Sequence, residues 1–133
     1  IGDGNTSYNS MISGDNLFLI QSETIVKLAE NERGAVFVGR CADYVLRHRN
    51  DVVSVFITAN EADRVKRLCD RKGCTETEAR DMMKKVDKQR SAYYDYYASR
   101  VWGMASSYDI CINSSVLGIE GTVEAIINIV KGK

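Results

Sequence analysis

Three short apolar runs constrain this chain most: Ala35-Val36-Phe37-Val38, Val52-Val53-Ser54-Val55-Phe56-Ile57 and Tyr108-Asp109-Ile110-Cys111-Ile112. Each is too short to be a buried helix, and none shows the apolar/polar alternation of a strand with one wet face. Continuous apolar runs of this length suit strands covered on both faces. Helix-patterned segments separate them, and strands alternating with helices imply a parallel sheet flanked by helices, an α/β fold. At 133 residues the chain fits one domain that can bury a real core.

The expected helices follow from caps and periodicity. Residues 1–14 show no apolar period and contain Gly2, Gly4 and Gly14, so they read as a loop lead-in. Asp15 is the expected N-cap of a first helix to about Glu32, with Leu17, Ile20, Ile25, Leu28 and Ala29 near helical spacing. Asn60 caps the next helix, through Arg71, with Gly73 at its exit. Thr75 and Glu78 have capping-box spacing and open a long polar helix to about Tyr97. The region from about 60 to 102 is therefore a largely helical excursion between strands. A last helix is expected over Leu117–Lys131, and since the chain has no proline, glycines and caps provide all its punctuation.

Eighteen basic residues balance eighteen acidic ones, so nothing draws the chain as a whole to nucleic acid or to an anionic membrane surface. No apolar run approaches the roughly 20 residues of a membrane span, and no basic stretch followed by an apolar one suggests a signal peptide. The expected location is the cytoplasm. Cys41, Cys69, Cys74 and Cys111 match neither CxxC nor zinc-knuckle spacing and read as reduced thiols, with no metal site. His48 is the sole histidine, in a polar turn without a co-ligand, which leaves no room for a serine triad.

Parallel sheets bind ligands beyond the carboxyl ends of their strands. The residues just after the apolar runs are Gly39-Arg40, Thr58-Ala59-Asn60 and Asn113-Ser114. In Gly39-Arg40 a glycine lets the backbone turn, and an arginine then precedes a helix N-terminus, an arrangement that favours an anion. On position alone Arg40 is either that anion ligand or an ordinary solvated surface residue. Arg64, Arg67 and Arg71 share a helix face, where a solvated surface is the commoner explanation and a polyanion site the sharper one. Asp87 and Arg90 share a face of the long helix. Tyr93, Tyr94, Tyr96, Tyr97 and Trp102 form an aromatic set suited to packing or to an oligomer contact, more than to base stacking.

In order and spacing over roughly residues 17–131, these pieces resemble the cytidylate kinase-like family of nucleoside monophosphate kinases. The resemblance rests on Gln21, on Val36-Phe37-Val38-Gly39-Arg40-Cys41-Ala42-Asp43-Tyr44-Val45-Leu46, and on Val55-Phe56-Ile57-Thr58-Ala59 followed by Glu61-Ala62-Asp63-Arg64-Val65-Lys66-Arg67. It continues through Asp87-Lys88-Gln89-Arg90 and Ile112-Asn113-Ser114-Ser115-Val116-Leu117-Gly118-Ile119-Glu120. It implies a partial P-loop NTPase fold with a helical lid, and ATP-dependent phosphoryl transfer to a nucleoside monophosphate, with CMP or dCMP first. By resemblance, Arg40 and Arg90 are catalytic, and Arg40, Asp43, Asp87 and Arg90 bind the acceptor. Arg64 and Arg67 reach the nucleotide triphosphate, and ATP and Mg²⁺ serve the complete protein. Phosphoryl transfer depends on cations that neutralise spread negative charge, a task that suits arginine's fixed fork.

Two departures qualify the resemblance. Authentic cytidylate kinases carry a carboxylate directly after the Gly-Arg pair, and here Cys41 stands there, with Asp43 as the substitute. No GxxxxGK[ST] loop occurs anywhere, so the resemblance implies the C-terminal portion of a kinase domain, inactive alone. In that family the missing first strand lies centrally, so an exposed sheet edge is expected, relieved by local rearrangement or by a homodimer. Two other readings follow: a non-catalytic nucleotide-binding or oligomerisation module on a kinase scaffold, and a kinase for another small phosphorylated acceptor.

Overall fold

A computed structural model describes residues 3–132, with side chains from Ser13 onward. The chain forms two compact units, Ile1–Asn50 and Asp51–Lys133. The first holds helix α1 (Asp3–Ala29) and the single-turn α2 (Ala42–Val45). The second holds, in order, β1 (Val55–Thr58), α3 (Glu61–Lys72), α4 (Glu76–Ala98), a 3-10 turn at Ala105–Ser107, β2 (Ile110–Asn113) and α5 (Ser114–Lys131).

In the first unit α1 packs on α2, and Ile25, Cys41, Ala42 and Leu46 are its buried apolar residues among those described. α1 starts at Asp3, twelve residues before the expected cap at Asp15, so the expected lead-in is helical backbone from residue 3 onward. Extending an existing helix adds one hydrogen bond per residue fixed, whereas starting one is costly. With no proline to stop it, the helix continues through Gly14 at a cost of only about 1 kcal/mol relative to alanine.

The expected first strand, Ala35–Val38, is not a strand. Its backbone has no ladder partner among the described residues, and Val36 and Val38 are 93% and 90% exposed. An apolar run becomes a strand only when a neighbour satisfies its amide and carbonyl groups.

The second unit has that neighbour. β1 and β2 pair in parallel, with Val55 opposite Ile110 and Thr58 opposite Asn113, so the fold is α/β with a parallel sheet flanked by helices. Both strands begin two or three residues later than the apolar runs suggested. At their amino ends the Asp109 carboxylate accepts from the Ser54 amide at 2.8 Å and from its hydroxyl at 3.1 Å, while the Asp109 amide donates to the Ser54 hydroxyl oxygen at 2.9 Å. These bonds take up groups that would otherwise extend the ladder.

The caps of the helical excursion stand where the sequence placed them, except that the Asn60 side chain makes no cap bond to α3. Gly73 is left-handed (φ 64°) and its amide closes α3 on the Cys69 carbonyl at 2.8 Å. Only glycine adopts that conformation without strain. Thr75 and Glu78 form the reciprocal capping box of α4. α3 packs against α4 with Val65 and Ala79 buried, Ala79 completely. Phe56 meets Trp102 edge-on at 5.3 Å and Tyr108 at 5.0 Å, and Tyr108 stacks on Tyr94 at 5.8 Å. Tyr94 and Trp102 of the aromatic set are therefore packing, as expected, while Tyr96 is exposed. α5 begins at Ser114, three residues before the expected start, and its helical path is broken at Gly118 (φ 71°, ψ 175°).

Candidate functional site

The candidate residues lie in both units. In the first, Gly39, Arg40 and Cys41 are three consecutive left-handed residues, with φ of 71°, 58° and 55°. For a residue with a Cβ this conformation costs roughly 1–2 kcal/mol, so Arg40 and Cys41 hold it against their intrinsic preference. The turn ends at the N-terminus of α2, with Arg40 exposed and Cys41 only 4% exposed. Burial, then the nearby Asp43 carboxylate, push the Cys41 thiol up to about 11, so it stays neutral at physiological pH. Asp43, half-buried, sits in the first turn of α2. The Arg47 guanidinium lies 3.9 Å over the Tyr44 ring and donates to the Tyr44 carbonyl at 2.8 Å. On α1, Gln21 Oε1 is buried and has no hydrogen-bond partner.

In the second unit the carboxyl ends of β1 and β2 are knitted together by side chains. Asn113 Nδ2 donates to Asn60 Oδ1 at 2.9 Å, the Asn60 amide donates to Ser115 Oγ at 2.8 Å, and the Ser115 amide donates back to Asn113 Oδ1 at 2.9 Å. Ser114 Oγ donates to the Thr58 carbonyl at 3.0 Å. The sequence pointed to these strand-end residues by position. Their mutual bonding links residues more than fifty positions apart, and only the parallel register brings them together.

Beside this knot lies an open groove of about 380 Å³ between α3 and the first turns of α5. Asp63, Lys66, Arg67 and Asp70 line one side, and Ser114, Ser115, Gly118 and Ile119 line the other. Lys66 is tied to Asp70 at 2.8 Å, an exposed pair one turn apart, which raises the lysine. Arg67 lines the groove and is exposed.

Arg64 points elsewhere. Its guanidinium makes a two-pronged contact with Asp87 on α4, Nη1 to Oδ2 and Nη2 to Oδ1, both at 2.8 Å. Hydrogen bonding to Asp87 raises the Arg64 guanidinium above its ordinary value, with partial burial opposing. The one-face arrangement of Arg64, Arg67 and Arg71 is thus divided: Arg64 faces α4 and Arg67 faces α5. A second pair, Arg80 with Glu61, joins the same two helices. Asp87 and Arg90 share α4, Asp87 half-buried in its ion pair and Arg90 exposed.

A metal ion finds no ready ligand set, because no group of three or more histidine, cysteine or acidic side chains converges among the described residues. Nor does the sequence contain a GxxxxGK[ST] loop. No helix among the described residues is long and apolar enough to cross a membrane.

Residues 2–116 match the model of the cytidylate kinase-like family. A crystal structure of an uncharacterized protein from Eubacterium ventriosum ATCC 27560 superposes with a TM-score of 0.83 at 33% identity, over 87% of this chain and 65% of that one. This chain therefore spans just under two thirds of the solved structure it matches. None of the curated proteins matches it.

Proposed function

Because the chain belongs to the cytidylate kinase-like family, we propose that it carries the acceptor and lid parts of a phosphotransferase that moves phosphate from ATP to a nucleoside monophosphate. The observation that carries this reading is the groove beyond the carboxyl ends of β1 and β2, where Arg67 stands beside the bonded asparagines and serines. Parallel sheets hold ligands at this place, and an arginine there supplies a planar fork for phosphate oxygens. In this reading Arg67 receives the triphosphate and Arg40 receives the acceptor phosphate.

The Arg64–Asp87 pair is then a resting latch. A nucleotide that needs both side chains must separate them, and the charge of the incoming phosphates offsets the loss for Arg64. Arg90, exposed one turn along α4 from Asp87, is a further phosphate ligand of this unit in the same reading. ATP brings the transferable phosphoryl group, and this chain's residues contribute cations and orientation.

Cys41 favours a second acceptor reading. Where authentic cytidylate kinases have a carboxylate, this chain has a buried thiol that stays neutral at physiological pH and cannot accept strongly from a cytosine amino group. Either Asp43 takes over that contact and CMP or dCMP is the acceptor, or the acceptor is another small phosphorylated molecule. Equilibrium binding of ATP to the chain and to Arg67→Ala tests the donor half. The reading expects roughly tenfold weaker binding in the variant, about the 1.4 kcal/mol of one lost charge-assisted contact. Equal binding to both removes Arg67 from the site.

A further inference from the structure

Two of the four thiols, which match neither CxxC nor zinc-knuckle spacing, are neighbours at the junction of α3 and α4. Gly73 turns the chain left-handed at the end of α3, and its amide bonds the Cys69 carbonyl at 2.8 Å. In such a cap the residue after the glycine folds back over the last helical turn, and that residue is Cys74. Its Sγ lies 3.9 Å from the Leu68 carbonyl, one residue from Cys69. Both cysteines are half-buried, neither sealed in the core nor fully open.

We propose that Cys69 and Cys74 form a reversible dithiol–disulfide site that staples the α3–α4 junction, with hydrogen peroxide as oxidant and a small dithiol as reductant. The proposal is independent of the kinase reading. The Cys74 thiolate attacks the distal peroxide oxygen, so that an S–O bond forms, the O–O bond breaks and the leaving hydroxide takes a proton to become water. The Cys69 sulfur then attacks the Cys74 sulfenic acid, the S–S bond forms, and the S–O bond breaks to release a second water. The two sulfurs give up two electrons, the peroxide accepts two, and the two thiol protons end in the waters.

The roles follow from the local chemistry. Desolvation, then the neighbouring Cys74, raise the Cys69 thiol, so Cys69 is the slower of the two to attack the oxidant and serves as the resolving thiol. The other two thiols have no such neighbour in the chain: Cys41 is buried on another unit, and Cys111 is exposed on β2. The bridge would close the turn across Gly73, between the helix bearing Arg64 and the helix bearing Asp87.

The test is peroxide treatment of the native chain, trapping of remaining thiols with an alkylating agent, and peptide mapping. Trypsin cuts after Arg67, Arg71, Lys72 and Arg80, so the bridge must appear as peptide 68–71 joined to peptide 73–80. The expected result is that joined pair as the main oxidation product, formed at least tenfold faster in the folded chain than in urea, faster as pH rises, and reversed by a dithiol reductant. Cys69→Ser should leave Cys74 as a sulfenic acid or a mixed disulfide. If both peptides stay singly alkylated while Cys111 oxidises first, or if the joined pair forms no faster folded than unfolded, the proposal fails.

Discussion

Two apolar runs of similar composition have opposite fates in this molecule. Val55–Thr58 is a strand because Ile110–Asn113 lies alongside it, and the pair is tied at one end by Ser54 and Asp109 and at the other by Asn60, Asn113, Ser114 and Ser115. Ala35–Val38 has the same run of apolar side chains and no ladder partner among the described residues, and its valines stand in solvent. Strand propensity therefore marks a segment ready to pair, and the neighbour decides whether it does.

The contrast can be broken from the paired side. Phe56→Ala removes the ring that holds Trp102 and Tyr108 and should destabilise the Asp51–Lys133 unit by about 3–4 kcal/mol, the usual cost of deleting a packed aromatic side chain. Chemical denaturation followed by Trp102 fluorescence reads it directly. A smaller loss, about 1–2 kcal/mol, is expected for Arg64→Ala, which leaves the half-buried Asp87 carboxylate without its fork. The double variant Arg64→Ala, Asp87→Ala should recover part of that loss, and a double-mutant cycle measures how much.

Asn113→Ala removes both the contact to Asn60 and the cap on the Ser115 amide, and about 1 kcal/mol should go with them. The least change should come from Val36→Lys with Val38→Lys. Two charges on an already exposed run are expected to move the melting free energy by under about 0.5 kcal/mol. A loss of several kcal/mol there would show that the run is packed after all.

Cys41 adds a pH dependence with a definite sign. Its thiol is held up to about 11 in the folded state, above the ordinary value, so the folded chain keeps a proton that the unfolded chain releases first. The stabilisation is complete below about pH 9 and is lost as pH rises toward about 11. A Cys41→Ser variant should show a flatter loss of stability across that window.

What could be read from residues alone was mostly local. Gly73, Thr75 and Glu78 act within a few positions of where they stand, so their capping roles were visible in order and spacing, whereas Asn60 stands at the N-cap position but spends its side chain on Asn113. The Gly39-Arg40 turn was legible because a glycine after an apolar run announces a change of direction. The extra turns of α1 were not, since a polar glycine-containing stretch carries no period to announce a helix. The Arg64–Asp87 pair joins residues 23 apart on different helices, and charge pattern along one helix cannot show a partner on another. The Cys69–Cys74 meeting was hidden because a five-residue spacing faces apart on a continuous helix and together across a left-handed cap.

The proposed acceptor site for a nucleoside monophosphate has Arg40 at its phosphate. Calorimetric titration of the chain with CMP, with UMP and AMP as comparators and with Arg40→Ala alongside, tests it most directly. The account predicts that CMP binds in preference to the other two and that Arg40→Ala weakens it about tenfold, while the melting curve stays unchanged. A folded chain that binds no monophosphate, or that binds CMP equally with and without Arg40, would contradict it.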